Sequence, residues 1–145
     1  MNDQVSETDA AGWRWDHSYA RLPGLLFESS RPQLVRGAKV VVLNGKLAKE
    51  LGLDADVLAA DDYAAVFVGN RLPVGAEPIA QAYAGHQYGH FTGLGDGRAI
   101  LLGEHLSPDG RRWDIQLKGP GRTRYSRGGD GRAALGPMLR EYLIS

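Results

Sequence analysis

At 145 residues, with 43% apolar and 23% charged residues, the chain has the composition of one globular domain or a piece of a larger one. Seventeen basic residues cancel seventeen acidic ones, which removes any bulk electrostatic pull toward nucleic acid or membrane. Cysteine is absent, so disulfides and thiolate metal sites are excluded.

Residues 1–11 are acidic and polar and lack the apolar core of a signal peptide, and no apolar run reaches the ~18 residues of a membrane span. A cytoplasmic protein is expected, with residues 1–17 as a disordered lead. Within that lead Trp13 and Trp15, with Tyr19 beyond it, read as packing residues rather than chemistry. Residues 25–30 suit a short extended piece, broken at Arg31-Pro32. The β-branched run 39–43 reads as a short buried strand. Asn44 then caps a helix over 45–51, and Gly52 stops it. A further helical turn is expected over 54–58, and another, capped by Asp61, through Val66. Residues 70–78 form a proline- and glycine-rich connector, and 79–83 fit helix or strand equally.

The texture changes at Gly85. Thirteen of the 20 glycines fall within 85–136, which points to loops that bring backbone close to something. Residues 99–104 read as an apolar strand, Pro108-Asp109-Gly110 as a turn, and 112–118 as the returning strand of a hairpin. A long loop over 119–131 leads to a helix over 133–144, whose regular part begins near Gly136 because Pro137 is tolerated only in a first turn. Charge follows the same division. Residues 1–70 hold seven Lys/Arg against ten Asp/Glu, whereas 111–132 hold six Arg and one Lys against two Asp. That local excess calls for an anion, and phosphate is the obvious one.

Three features carry the chemistry. The turn 93–98 alternates Gly93, Gly95 and Gly97 before Arg98, so backbone N–H groups can crowd an anion beside a guanidinium. The alternative is a tight turn that binds nothing. In the strand ending at Lys118, Ile115 and Leu117 face one side while Lys118 faces the other and can enter a cleft. Glu141 follows Lys118 by 23 residues, on the expected helix. A glycine turn, then a strand lysine, then a helix glutamate is the order in which protein kinases hold nucleotide phosphates. Read singly, Lys118 and Glu141 are surface charges. The loop after Lys118 alternates arginines with small and hydroxyl residues, and Asp130 can orient a cation or meet a metal or sugar hydroxyl. A flexible basic loop is the plain alternative, and an RNA-binding loop with Tyr125 as a stacking platform is another. His86 and His90 would share a helix face as a metal pair, but their glycine neighbours favour a structural role.

The runs 83–91, 94–104, 116–119, 125–127 with 130–133, and 139–145 closely resemble the selenoprotein O family, also called SelO or YdiU. So do 18–23 and 69–71, and the resemblance covers nearly everything from Ser18 onward. It implies an α/β (α+β) architecture: a protein-kinase-like N-terminal lobe with a small, mainly antiparallel sheet, a glycine-rich turn and one key helix, behind a family-specific extension. Residues 18–145 would then be the N-terminal part of a nucleotide-binding domain. The family binds ATP in an inverted orientation and, with Mg²⁺ or Mn²⁺, transfers AMP to Ser, Thr or Tyr hydroxyls of proteins. Carried over, Gly95, Gly97, Arg98, Lys118, Asp130 and Gly131 bind nucleotide, and Glu141 partners Lys118. The catalytic aspartate, the metal ligands and further arginines belong to a second lobe that this chain lacks, so it is expected to be inactive alone. The segment between Phe91 and Leu94 is one residue shorter than the family's usual form. Partners implied are ATP and protein substrates, with no nucleic acid and no membrane. A kinase-type phosphotransferase and a truncated nucleotide-binding remnant are the alternatives.

Overall fold

A computed structural model describes residues 10–87 and 89–144. The part of the expected disordered lead that covers 1–9, together with Tyr88 and Ser145 of the family-like runs, lies outside the described residues. The architecture is mixed α and β, with a six-stranded, antiparallel sheet and short helices around it.

The strands are β1 (Trp15–Asp16), β2 (Phe27–Ser29), β3 (Ile79–Gln87), β4 (His90–Gly95), β5 (Ala99–Leu106) and β6 (Arg112–Lys118). Along the sheet the order is β1, β5, β3, β2, with β4 paired to β3 and β6 paired to β5. The segment 79–83, open between helix and strand in the sequence, is therefore strand. The β5–β6 hairpin forms as expected around the 108–110 turn, with Ala99 opposite Lys118 and Leu106 opposite Arg112. A bulge between Leu101 and Gly103 resets its register. Gly103 is needed there, because a Cβ would come within 2.7 Å of the His17 ring and 2.9 Å of the Trp15 ring.

The helices are α1 (Gly45–Leu51), α2 (Ala55–Ala59), α3 (Ala64–Phe67) and α4 (Leu135–Ile144). Asn44 caps α1 by accepting the Leu47 N–H at 3.0 Å, and Gly52 ends it in the left-handed region at φ 75°. Asp54 caps α2 through the N–H groups of Asp56 and Val57. Asp61 does not cap α3. It opens a short 3-10 turn over Asp61–Tyr63 that runs into the helix.

Two expectations are corrected. Residues 11–17 are not a disordered lead: Ala11 and Trp13 are buried, and β1 pairs Trp15 with His105 and Asp16 with Glu104. Trp13 stacks on Trp15 at 5.2 Å and donates its indole N–H to Tyr63 Oη at 2.6 Å. This pair closes a core with Leu51, Leu53, Leu58 and Val66, an apolar gain the polar residues before it do not foretell. The run 39–43 is not a buried strand. Val41 and Val42 are exposed and no described strand pairs with them. A strand needs a partner ladder, and the segment entering this run is tied differently, by Asn70, whose side chain exchanges two hydrogen bonds with the Val35 backbone.

Glu104, buried at 4% exposure, fastens the N-terminal segment to β5. Its carboxylate accepts the backbone N–H groups of Ser18 and Tyr19 at 2.9 and 3.1 Å and the Ser18 hydroxyl. No helix among the described residues is long and apolar enough to cross a membrane.

Candidate functional site

A cleft of about 730 Å³ opens where β4 turns into β5, beside the end of β6. Gly95, Gly97, Arg98, Lys118, Asp130 and Gly131, singled out from the sequence, all line it, together with Arg127 and Arg132. Alternation along β6 delivers Lys118. Ile115 and Leu117 turn toward the core while Gln116 and Lys118 stay exposed, and both of these line the cleft. Glu141, on α4, lies behind Lys118 and binds it with both carboxylate oxygens, at 2.5 and 2.6 Å from Nζ. Both side chains are about half exposed, so the pair contributes ~0–1 kcal/mol to stability. Its larger effect is to fix the direction of the ammonium group. Helix α4 has no buried residue, and Lys118–Glu141 is its ion pair to the sheet.

The glycine-rich turn is smaller than the sequence implied. Gly93 and Gly95 belong to β4, where they pair with Ala84 and Ala82, so only 96–98 turn. The lack of a Cβ also serves a neighbour. At Gly95 a Cβ would lie 2.5 Å from the Tyr125 ring and 2.6 Å from the Gln81 carbonyl, and at Gly97 it would lie 2.7 Å from the Tyr125 carbonyl. These glycines let the arginine loop seat on the turn. Two hydroxyls latch it there: Thr123 Oγ1 donates to the Asp96 carbonyl at 2.6 Å and Ser126 Oγ to the Gly97 carbonyl at 2.7 Å. The Gly119 N–H adds a bond to the Arg98 carbonyl at 2.7 Å. The loop is therefore anchored rather than loose, and Tyr125, weighed as a stacking platform for RNA, lies against Gly95.

Among the described residues Asp130 makes no ion pair. Its Oδ1 accepts the Arg132 backbone N–H at 2.9 Å, a local turn. Gly131, at φ 69°, is required because a Cβ would run into the Gly121 carbonyl. His86 and His90 sit on paired strands rather than one helix, and His86 packs edge-on against Phe91 at 5.4 Å. Among the described residues no three His, Asp or Glu side chains converge on a point that would hold a metal.

Asp96 is the site residue that sequence reasoning passed over. It lines the cleft yet is 4% exposed. Its carboxylate accepts the Gln81 N–H at 3.0 Å while its own N–H returns a bond to the Gln81 carbonyl at 2.9 Å. Burial pushes its carboxyl above the ordinary value of 3.8, and hydrogen bonds from Gln81 and the Tyr83 hydroxyl work against that rise. An aspartate between two glycines of a strand-to-strand turn was the available signal. Its burial depends on β3, which pairs from a distance.

The cleft thus gathers four cationic side chains, of Arg98, Lys118, Arg127 and Arg132, against the carboxylates of Asp96 and Asp130. Among the described residues no ion pair engages Arg98, Arg127 or Arg132. Converging guanidinium and ammonium donors beside a glycine-containing turn suit a multiply charged anion such as a polyphosphate.

The family model of protein adenylyltransferase SelO matches residues 16–145. A protein nucleotidyltransferase YdiU of Anoxybacillus flavithermus is 69% identical over 135 residues, 93% of this chain and 28% of that protein. Proteins of the same name from Bacillus cytotoxicus and Syntrophotalea carbinolica are each 59% identical, over 99% and 100% of this chain and 29% and 30% of their own length. The chain therefore spans under a third of the length of these relatives.

Proposed function

The chain belongs to the SelO protein adenylyltransferase family, and on that premise we propose that it is the ATP-binding portion of an enzyme that transfers AMP from ATP to Ser, Thr or Tyr hydroxyls of proteins. The observation that carries this reading is the Lys118–Glu141 pair at the rim of a cationic cleft. The antiparallel sheet with α4 tied to its lysine strand through Glu141 corresponds, in this reading, to the N-terminal lobe of a protein-kinase-like fold.

Bound ATP supplies the adenylyl group. Lys118, held by Glu141, places a positive charge against the phosphates, and Arg98, next to Ala99, the strand partner of Lys118, adds a planar fork. The latched loop keeps these charges in position, so little reorganisation accompanies charge development at the α-phosphorus. In the complete enzyme the hydroxyl oxygen of the protein substrate attacks that phosphorus. The bond to the β-phosphate breaks, pyrophosphate leaves, and the hydroxyl proton passes to a base that we assign, with the ligands for Mg²⁺ or Mn²⁺, to the part of the protein beyond this chain. These 145 residues alone are then expected to transfer nothing.

The test incubates the complete protein with Mg²⁺ and ATP labelled at the α- or the γ-phosphate, beside Lys118→Ala. Label reaching protein only from the α position, reduced roughly 10²–10³-fold in the variant, is the expected result. Label arriving only from the γ position would make the enzyme a kinase-type phosphotransferase. No transfer from either, with ATP still bound, would leave a nucleotide-binding module.

A further inference from the structure

Resting on this nucleotide reading of the cleft, we infer that Arg127 is a further anion-binding residue, presented to the phosphate chain by a left-handed backbone that the arginine loop holds in place. Arg127 is the single non-glycine residue with positive φ among the described residues, at 49°. An L side chain is strained there, because its Cβ crowds the following carbonyl. Such a conformation persists only where the surroundings over-determine it.

The surroundings do so. Ser126 N–H bonds the Thr123 carbonyl at 3.2 Å, Thr123 N–H bonds Ser126 Oγ at 2.9 Å, and Gly129 N–H bonds the Ser126 carbonyl at 2.8 Å. Ser126, the residue just before Arg127, is also one of the two that latch onto the glycine turn, through Gly97. The backbone at 127 is therefore set by its neighbours, and a glycine would adopt it without strain. The same loop uses glycine at its other positive-φ positions, Gly119, Gly121, Gly128 and Gly131.

An arginine at the strained position calls for a reason in its side chain. That side chain is exposed, lines the cleft, and makes no ion pair or hydrogen bond with the protein among the described residues. It stands beside Arg98, Lys118 and Arg132, so the free cleft concentrates like charge. A guanidinium held there without an acceptor is matched by a multiply charged phosphate, which takes it bidentately. A base or ribose would not relieve that repulsion.

Titrating the complete protein with Mg²⁺-ATP and, separately, with adenosine tests this in the wild type, Arg127→Gly, Arg127→Lys and Lys118→Ala. Arg127→Gly is expected to weaken ATP about tenfold or more, to leave adenosine unchanged, and to hold or raise the thermal midpoint as the strain is relieved. Arg127→Lys should fall between wild type and Arg127→Gly in ATP affinity. Unchanged ATP affinity in Arg127→Gly, with Lys118→Ala impaired, would overturn the role of Arg127 and leave the nucleotide reading standing. Equal losses for ATP and adenosine, or lost affinity together with a lowered midpoint, would show a contact to the nucleoside or a merely structural arginine. Absence of ATP binding by the wild type would overturn both readings.

Discussion

At its turn, the β5–β6 hairpin buries His105 and Ser107 to 1% exposure, whereas at its open end Lys118 is 45% exposed and faces a cleft. The buried end answers its polar atoms individually. His105 Nδ1 accepts the Arg14 N–H at 3.1 Å and Nε2 donates to the Leu51 carbonyl at 2.9 Å, which fixes one tautomer. Ser107 Oγ lies 2.5 Å from Asp109 Oδ1 and accepts the Trp113 indole N–H at 3.2 Å. The open end gathers cations, glycines and a backbone in the left-handed region. Apolar burial and satisfied hydrogen bonds stabilise one end, and that stability holds unneutralised charge in place at the other. Stability and nucleotide binding should therefore separate by mutation.

The largest effect is expected at the buried end. Trp13→Ala removes a ring that stacks on Trp15, meets His105 edge-on at 5.3 Å and bonds Tyr63. It should lower unfolding free energy by about 3–5 kcal/mol in chemical denaturation. ATP affinity of the molecules that stay folded should be unchanged. A parallel loss of affinity would show that the two ends are not independent.

A smaller effect with a different signature is expected at Gly95. In Gly95→Ala the Tyr125 ring can move aside but the Gln81 carbonyl, a strand backbone, cannot. A cost of about 1–3 kcal/mol follows from the overpacking. Here ATP affinity should fall along with stability, because the displaced Tyr125 lies between Thr123 and Ser126, the two latching residues. A stable Gly95→Ala protein with intact affinity would mean that the latch is dispensable.

The same contrast governs what the sequence disclosed. The Asn44 cap, the Gly52 stop, the turn at 108–110 and the alternation along β6 rest on short-range chemistry and were legible. The placement of Glu141 near Lys118 followed from the kinase-like order of glycine turn, strand lysine and helix glutamate rather than from local chemistry. Whether Gly95, Gly97, Arg98, Lys118, Asp130 and Gly131 act on nucleotide is left to the experiments above. What was not legible depends on distant pairing. Trp15 meets His105 across the sheet, so 11–17 read as a lead. The β-branched run 39–43 looked like a strand because sequence does not reveal whether a partner edge exists. Gly95 and Gly97 suggested either phosphate contact or a tight turn that binds nothing, and the further reason for them, Tyr125, comes from a loop about 30 residues on.

The smallest expected effect is in pH dependence, where the two ends should carry opposite signs. Burial pushes the His105 imidazole below its ordinary value of 6.5, with the Arg14 charge adding to the shift and the Leu51 carbonyl opposing it. Below pH 6.5 the unfolded chain takes up a proton that the folded one refuses, so His105 makes stability fall as pH drops toward its folded pKa. Asp96 acts the other way. With its carboxyl raised above 3.8, the folded protein holds a proton that the unfolded chain has released, so stability falls as pH rises through that window. Asp109, exposed and pulled down to about 2 by the Ser107 hydroxyl and Arg111, contributes only below 3.8. Denaturation midpoints followed from about pH 8 to about pH 4 should therefore drop less steeply in His105→Gln and more steeply in Asp96→Asn than in the wild type. A shift of both variants in the same direction would mean that one of these two groups does not titrate as its surroundings dictate, and the asymmetry between the hairpin's ends would then lie in packing alone.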